Sequence, residues 1–145
     1  MSKYRRMFNL MVVALLAATA LVAGTSAATA APAGATGVWS CNVPANSTYT
    51  GARHTTSCGF SPYEYNVTAP ATGLWACIVL SGWTYTGARQ GSNCNPASIT
   101  WEYNLLAPSN GVWACYPPTG WTYTAFRPTI SCGTGYPYEY QLLKL

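Results

Sequence analysis

The ionisable residues of this 145-residue chain limit the chemistry it can perform. Its three acidic residues are the glutamates Glu64, Glu102 and Glu139, there is no aspartate, and His54 is the single histidine. These counts exclude a Ser-His-Asp triad, a zinc site built on histidines and an acidic calcium loop. A glycosidase needs two carboxylates about 5 to 9 Å apart, which here would have to converge from distant parts of the chain. We therefore expect no enzyme activity, no metal and no cofactor.

Six cysteines occur in pairs of constant spacing, which predicts three disulfides. Six cysteines allow about fifteen connectivities in general. Sixteen residues lie inside each pair, whereas eighteen and then twenty residues lie between pairs. A loop closed by a bond should keep its length while an open connector drifts, so we expect one bond per pair, each stabilising the fold by roughly 3 kcal/mol. The pairs are Cys41/Cys58, Cys77/Cys94 and Cys115/Cys132.

Most of the chain is a threefold sequence repeat, with copies over residues 37–70, 73–108 and 111–145. The first cysteines of successive copies lie 36 and then 38 residues apart. Each copy carries in the same order a Trp, a Cys, a Thr-Tyr-Thr motif, an Arg, a second Cys and a Glu-Tyr pair. A period of this length is typical of repeat architectures, in which one unit cannot bury its apolar face alone.

The residue pattern inside each copy predicts β-strands. Thr, Tyr, Val and Trp dominate, and Gly, Pro, Asn and Ser interrupt them at short intervals. We expect strands at the Trp-x-Cys, Thr-Tyr-Thr and Glu-Tyr segments, with a short fourth strand between the last two. Three such units predict an all-β, pseudo-threefold fold, a β-trefoil first and a β-prism second. Three independent disulfide-bonded units are the third choice, because roughly 36 residues scarcely bury enough surface to fold alone. The three-copy layout resembles that of small secreted β-trefoil lectins, although their Gln-x-Trp motif is absent.

The first thirty residues predict export. A positively charged start precedes a nearly uncharged apolar run and the small-residue cleavage pattern Ala28-Thr29-Ala30. We expect a signal peptide over residues 1–30, a single mature β domain over residues 31–145, and a secreted, extracellular protein with no stable membrane insertion. The alternative is an uncleaved membrane anchor, because the apolar run is nearly long enough to span a bilayer.

The charge of the mature chain argues against nucleic acid as a partner. Its cations Arg53, Arg89, Arg127 and Lys144 stand against three glutamates, which leaves a net charge of +1. Proteins that bind nucleic acid use clusters of Lys and Arg to neutralise phosphates. Four isolated cations do not form such a cluster.

Aromatic positions that differ between copies predict the binding site. Trp83 and Trp121 stand where the first copy has Ser47. A buried position would not readily exchange an indole for a hydroxyl, so these rings are predicted to be at least half exposed. The tyrosine two residues later shares their face, and so does the arginine four beyond it if the strand has no bulge. The candidate ligand-binding residues are Trp83, Tyr85 and Arg89 in the second copy, Trp121, Tyr123 and Arg127 in the third, and Tyr49 and Arg53 in the first.

This combination of residues suits a sugar. A pyranose stacks its C–H face on an indole, and its hydroxyls need paired donors and acceptors. Surface aromatics without a function give the same pattern, and Tyr and Trp are also favoured at protein interfaces. The leading hypothesis is a secreted, non-catalytic, lectin-like module for an extracellular glycan or cell-surface polysaccharide. The alternatives are an inhibitor of an extracellular hydrolase acting through the loop 116–120, and a structural or antimicrobial surface protein.

The residues that recur in every copy have two interpretations. Alternation places each Trp on the side of its own cysteine, which predicts three core tryptophans packed on disulfides. The arginine and glutamate of each copy are predicted to pair, either as a structural bridge between strands or as a clamp for a ligand. Ala125 stands where the other copies have a glycine that suits a bulge or a positive φ, either of which alanine disfavours, so a site in the third copy is less favoured. The core tryptophans are Trp39, Trp75 and Trp113, and the pairs are Arg53/Glu64, Arg89/Glu102 and Arg127/Glu139.

Overall fold

The computed structural model describes residues 37–145, and the predicted signal peptide lies outside this range. The regular secondary structure of the described residues is all β-strand, three strands to a repeat, which confirms the repeated all-β fold. The strands are β1 Val38–Ser40, β2 Thr48–His54 and β3 Tyr63–Thr68 in the first repeat, β4 Trp75–Ala76, β5 Thr84–Gly91 and β6 Thr100–Leu106 in the second, and β7 Trp113–Ala114, β8 Trp121–Pro128 and β9 Tyr138–Lys144 in the third.

Each repeat forms its own three-stranded antiparallel sheet. The strand orders are β1-β3-β2, β4-β6-β5 and β7-β9-β8, so the strand with the Glu-Tyr pair is always in the middle. The predicted fourth strand is absent from the described residues, where the corresponding stretch is a loop held by the disulfide. Because the sheets do not share strands, the common barrel of a β-trefoil is not formed among residues 37–145, and neither the trefoil nor the β-prism is confirmed.

The three predicted disulfides are confirmed. Each joins the segment after the first strand of a repeat to the loop after its second strand, with a sequence separation of 17. Three disulfides in a domain of this size are typical of extracellular proteins. The bonds are Cys41–Cys58 in the first repeat, Cys77–Cys94 in the second and Cys115–Cys132 in the third.

The burial of the disulfides increases along the chain. Both cysteines of the first bond are half-buried. In the second bond Cys77 is 8% exposed and Cys94 is 7% exposed, and the third bond is almost completely buried. Cys94 lies at the junction with the first repeat, where it lines a small cavity together with Tyr49. Cys94 therefore has a structural role, as its predicted disulfide with Cys77 implies.

A residue in the left-handed conformation lies just before the second strand of every repeat. Gly82 has φ 79° and Gly120 has φ 84°, and the equivalent residue of the first repeat is Asn46 with φ 63°. Glycine has no Cβ to clash in this conformation, and asparagine tolerates it better than most residues. The turn therefore has the same shape in all three repeats despite the change of residue.

Neighbouring repeats are joined by a recurring set of backbone hydrogen bonds. At the first junction the Cys77 N–H donates to the Tyr49 carbonyl at 2.9 Å, and the Ala52 N–H donates to the Asn93 carbonyl at 2.7 Å. Within residues 37–145, all such bonds between repeats join the first repeat to the second or the second to the third. The equivalent bonds of the second junction run from Cys115 N–H to the Tyr85 carbonyl at 2.9 Å and from Ala88 N–H to the Ser131 carbonyl at 2.7 Å.

A buried threonine adds a third bond to each junction. The hydroxyl of Thr48 donates to the Ile78 carbonyl at 3.1 Å, and that of Thr84 donates to the Tyr116 carbonyl at 2.8 Å. Both threonines are fully buried. A buried hydroxyl is costly without a partner, so these bonds fix each repeat to the next.

The core lies at the junctions between repeats. Tyr85 is only 4% exposed and packs with the disulfide of Cys115 and Cys132. Its ring centroid lies 4.9 Å from that of Tyr103 and 5.5 Å from that of Tyr116. The apolar face of one sheet is thus covered by the cystine and loops of the next repeat.

Candidate functional site

Each repeat carries a tryptophan, an arginine and a glutamate stacked on the face of its sheet that points away from this core. In the second repeat, Arg89 Cζ lies 4.1 Å from the ring centroid of Trp75, and Arg89 Nε donates to Glu102 Oε2 at 2.8 Å. Trp75 is opposite Asn104 and Arg89 is opposite Glu102 on the middle strand β6, which places these side chains on one face.

The stack is repeated in the other two copies, and the predicted pairing of arginine with glutamate is confirmed. Arg53 Cζ lies 4.0 Å from the centroid of Trp39, and Arg127 Cζ lies 4.2 Å from that of Trp113. About half of each arginine side chain is exposed. The cation therefore covers an indole and bridges two strands while it still contacts solvent.

The prediction that Trp39, Trp75 and Trp113 are core residues is wrong. Trp39 is 37% exposed, and the other two are half-buried. The reason is that the core forms on the opposite face of each sheet, where the next repeat packs. The tryptophans are covered by arginine instead of by a disulfide.

A β-bulge separates residues that were predicted to share a face. The register of β5 and β6 shifts between Tyr85 and Gly87, so Tyr85 pairs with Leu105 whereas Arg89 pairs with Glu102. An extra residue in one strand reverses the alternation beyond it. Tyr85 is consequently buried at a junction while Arg89 lies on the solvent face, and the predicted Trp83-Tyr85-Arg89 cluster is not formed.

The other predicted binding residues divide in the same way. The same bulge occurs in the first and third repeats, so the tyrosine and the arginine of each lie on opposite faces. Trp83 and Trp121 are half-buried. The structure places Tyr49 half-buried at the first junction, Tyr123 48% exposed on the third sheet, and Arg53 and Arg127 in the tryptophan stacks.

The loop 116–120, predicted as an inhibitory segment, belongs to the second junction. The Tyr116 hydroxyl donates to the Trp83 carbonyl at 3.0 Å, and the Tyr116 carbonyl accepts the Thr84 hydroxyl. Pro118 is buried. The start of the loop is thus held against the second repeat, whereas Thr119 and Gly120 at its end are exposed.

A groove of about 530 Å³ opens beside Arg89 where the second and third repeats meet. We call it the Arg89 groove. Gly133, with φ 83°, lies at its floor, where an added Cβ would fall 3.0 Å from the Trp101 ring and 3.2 Å from Ala88 Cβ. Glycine therefore keeps the groove open. Its walls are Ala88, Arg89, Gln90 and Trp101 from the second repeat and Thr129, Ile130, Gly133, Thr134, Gly135 and Pro137 from the third.

The Arg89 groove combines aromatic surface with neutral hydrogen-bonding groups. Trp101 supplies the ring, and Gln90, Thr129 and Thr134 supply donors and acceptors. Trp101 was not among the binding residues predicted from the sequence, where it was assigned only to the strand that contains the Glu-Tyr pair. The sequence feature that could have identified Trp101 is the difference between copies, since both other copies have tyrosine at this position.

A second cavity at the same junction is lined by tyrosines. It measures about 480 Å³, and its lining includes Tyr85, Tyr103, Tyr116 and Tyr136. Burial raises the pKa of Tyr85 to about 12, and the three neighbouring phenols add to the effect. Burial likewise raises the pKa of Tyr103 and of Tyr116. The hydroxyls of these three tyrosines are neutral donors at physiological pH.

No family model, no curated protein and no solved structure matches the chain. Within residues 37–145, no three His, Cys or Glu side chains are grouped so that they could hold a metal ion. The described part of the chain also contains no helix with the length and apolarity needed to cross a membrane. The geometry of the grooves and stacks is therefore the basis for assigning a function.

Proposed function

We propose that this protein is a secreted, non-catalytic module that binds carbohydrate in the Arg89 groove. The observation that carries the proposal is the Trp101 ring, which lines an open groove together with neutral polar side chains. The groove volume of about 530 Å³ lies within the range of about 300 to 1,000 Å³ typical of small-ligand sites. A sugar ring is both flat on its C–H face and polar at its edge, as this groove requires.

The charges around the groove favour a neutral ligand. Arg89 is its only cationic wall residue, and its guanidinium is already bonded to Glu102 at 2.8 Å. A phosphate or carboxylate ligand would have to compete with that carboxylate. Hydroxyls can instead bond to Gln90, Thr129 and Thr134 without disturbing the ion pair.

Binding at one such groove is expected to be weak, because it is open and holds few groups that orient a ligand. Multivalency would raise the apparent affinity where several such grooves, joined in one particle, meet one polysaccharide or cell surface. This arrangement agrees with a small extracellular domain held by three disulfides.

Two substitutions test the proposal on the oxidised protein. Gln90→Ala removes one polar wall group and is expected to lower retention on an insoluble polysaccharide about tenfold, the value of one good hydrogen bond. Trp101→Ala removes the stacking surface and is expected to lower it further. The measurement is retention on columns chosen from a glycan array, with the melting temperature recorded for each variant.

His54→Ala is the matched control, because His54 holds the position of Gln90 in the first repeat. The junction cavity there measures only about 160 Å³, and His54 is not among its lining residues. The variant should bind like the unmodified protein. A protein that binds no glycan on the array, or Gln90→Ala and Trp101→Ala variants retained like His54→Ala, would contradict the proposal.

A further inference from the structure

One face of the third repeat is open where the corresponding faces of the other repeats are covered. Tyr123 is 48% exposed, whereas its equivalent Tyr85 is 4% exposed. Phe126 is 60% exposed and lies 5.5 Å from the Tyr138 ring, and Tyr123 lies 5.0 Å from the Tyr140 ring. We call these four aromatic residues (Tyr123, Phe126, Tyr138 and Tyr140) the tail face.

The first repeat has a matching open face at the other end of the row. Cys41 and Cys58 are half-buried, although the equivalent cysteines of the third repeat are buried under the second. Asn42, Ser57 and Phe60 beside them are exposed. We call these five residues the head face.

We propose that the head face of one copy docks on the tail face of a second copy, in the way that successive repeats dock within the chain. A second copy of the chain is the expected partner because the same three hydrogen bonds recur at the two internal junctions. Each open face carries one half of that set. The bonds expected between copies run from Cys41 N–H to the Tyr123 carbonyl, from Phe126 N–H to the Ser57 carbonyl, and from the Thr122 hydroxyl to the Asn42 carbonyl.

The tail face can accept this contact in spite of its altered residues. Ala125 replaces Gly87, where an added Cβ would lie 3.6 Å from the Ser131 carbonyl across the junction, an ordinary van der Waals distance. Phe126 replaces Ala88, which faces Gly133. Gly59, next to the head face, holds the position of Gly133, so no Cβ opposes the larger Phe126 ring at that point.

The two phenylalanines of the described residues support the same pairing. Phe60 corresponds to Thr134, which lines the second junction together with Ala88. In the docked pair, Phe60 of one copy would therefore meet Phe126 of the other. Contact between them removes from water two rings that the single chain leaves exposed.

Because head and tail are different surfaces, the contact is heterologous and extends a row of copies instead of closing a symmetric pair. The inference does not depend on carbohydrate binding. It can be tested on the purified, oxidised protein by sedimentation velocity and light scattering over a concentration series, without a ligand.

Charge placed on either face should break the association. Phe126→Glu and Phe60→Glu each bury a carboxylate in an apolar contact and are expected to weaken self-association at least tenfold. Both residues are exposed in the single chain, so the variants should keep their melting temperature. Ile99→Glu is the control, because Ile99 is exposed in the second repeat and belongs to neither face.

Mixing the two variants distinguishes this arrangement from a symmetric one. Phe60→Glu keeps an intact tail and Phe126→Glu keeps an intact head, so an equimolar mixture should form dimers and nothing larger. The proposal is overturned if the unmodified protein is monomeric at every concentration, or if both variants associate like Ile99→Glu. It is also overturned if only Phe126→Glu loses association, since that result indicates a tail-to-tail pair.

Discussion

At the scale of single residues, the three arginine–glutamate pairs have the same geometry but different surroundings. The Glu102 side chain is 4% exposed, whereas those of Glu64 and Glu139 are each 16% exposed. Asn93 Nδ2 also donates to Glu102 Oε1 at 2.9 Å. A carboxylate that is buried and hydrogen-bonded depends strongly on its charged partner, because loss of the partner leaves the charge uncompensated.

Arg89→Ala should therefore destabilise the protein more than the equivalent change in the first repeat. We expect the free energy of unfolding to fall by about 2 kcal/mol for Arg89→Ala and by less than about 1 kcal/mol for Arg53→Ala, whose partner is better solvated. Urea unfolding followed by tryptophan fluorescence measures both. Equal losses in the two variants would show that the burial of Glu102 has no energetic consequence.

The raised pKa of Tyr85 predicts how the stability of the protein changes at alkaline pH. Its pKa is raised from the ordinary value of 10.0 to about 12, so the folded protein holds the phenolic proton more tightly than the unfolded chain. The resulting stability is complete below pH 10 and is lost as the pH rises towards 12. Tyr85→Phe should flatten this decline in unfolding experiments over the same range. A decline as steep in Tyr85→Phe as in the unmodified protein would argue against this origin, provided that the two have similar stability at neutral pH.

At the scale of the strands, the bulge determines which side chains meet. Alternation alone places Tyr85 and Arg89 on one face, and the extra residue at Thr86 separates them. The sequence indicated that a bulge was possible at the glycine of the first two copies and disfavoured it in the third, but the bulge occurs with both Thr-Gly-Ala and Thr-Ala-Phe. Gly51 and Gly87 are not among the positive-φ glycines of the described residues, so Ala125 fits the same bulge and the strain predicted for it is absent.

The disulfide loops provide an element-scale comparison, because all three have the same length. Removing a disulfide by a double Cys→Ser change should cost roughly 3 kcal/mol of loop entropy in every repeat. Loss of the buried Cys115–Cys132 bond should cost about 1 kcal/mol more than loss of the half-buried Cys41–Cys58 bond, because the serine hydroxyls that replace it are buried without hydrogen-bond partners. The Cys77–Cys94 bond, with intermediate burial, should fall between them. Thermal unfolding of the three variants gives the comparison, and identical midpoints would contradict it.

At the scale of the whole molecule, the repeated units were predictable and their arrangement was not. The constant spacing of the cysteines and the recurring Trp, Arg and Glu-Tyr positions specified the disulfides, the ion pairs and the all-β character. The sequences of three similar repeats do not indicate whether the third repeat contacts the first. The Arg89 groove was missed for a related reason, since its walls come from two repeats and Gly133 contributes only by lacking a side chain.

Each sheet in this protein is complete within one stretch of about 36 residues, and the junction bonds are the same whichever two repeats meet. A tandem duplication of one unit in the gene would therefore add a finished module without breaking any strand pairing. Unequal recombination could lengthen or shorten such a protein by whole modules, and an added junction would carry a groove only where its residues match Trp101 and Gly133 of the second junction.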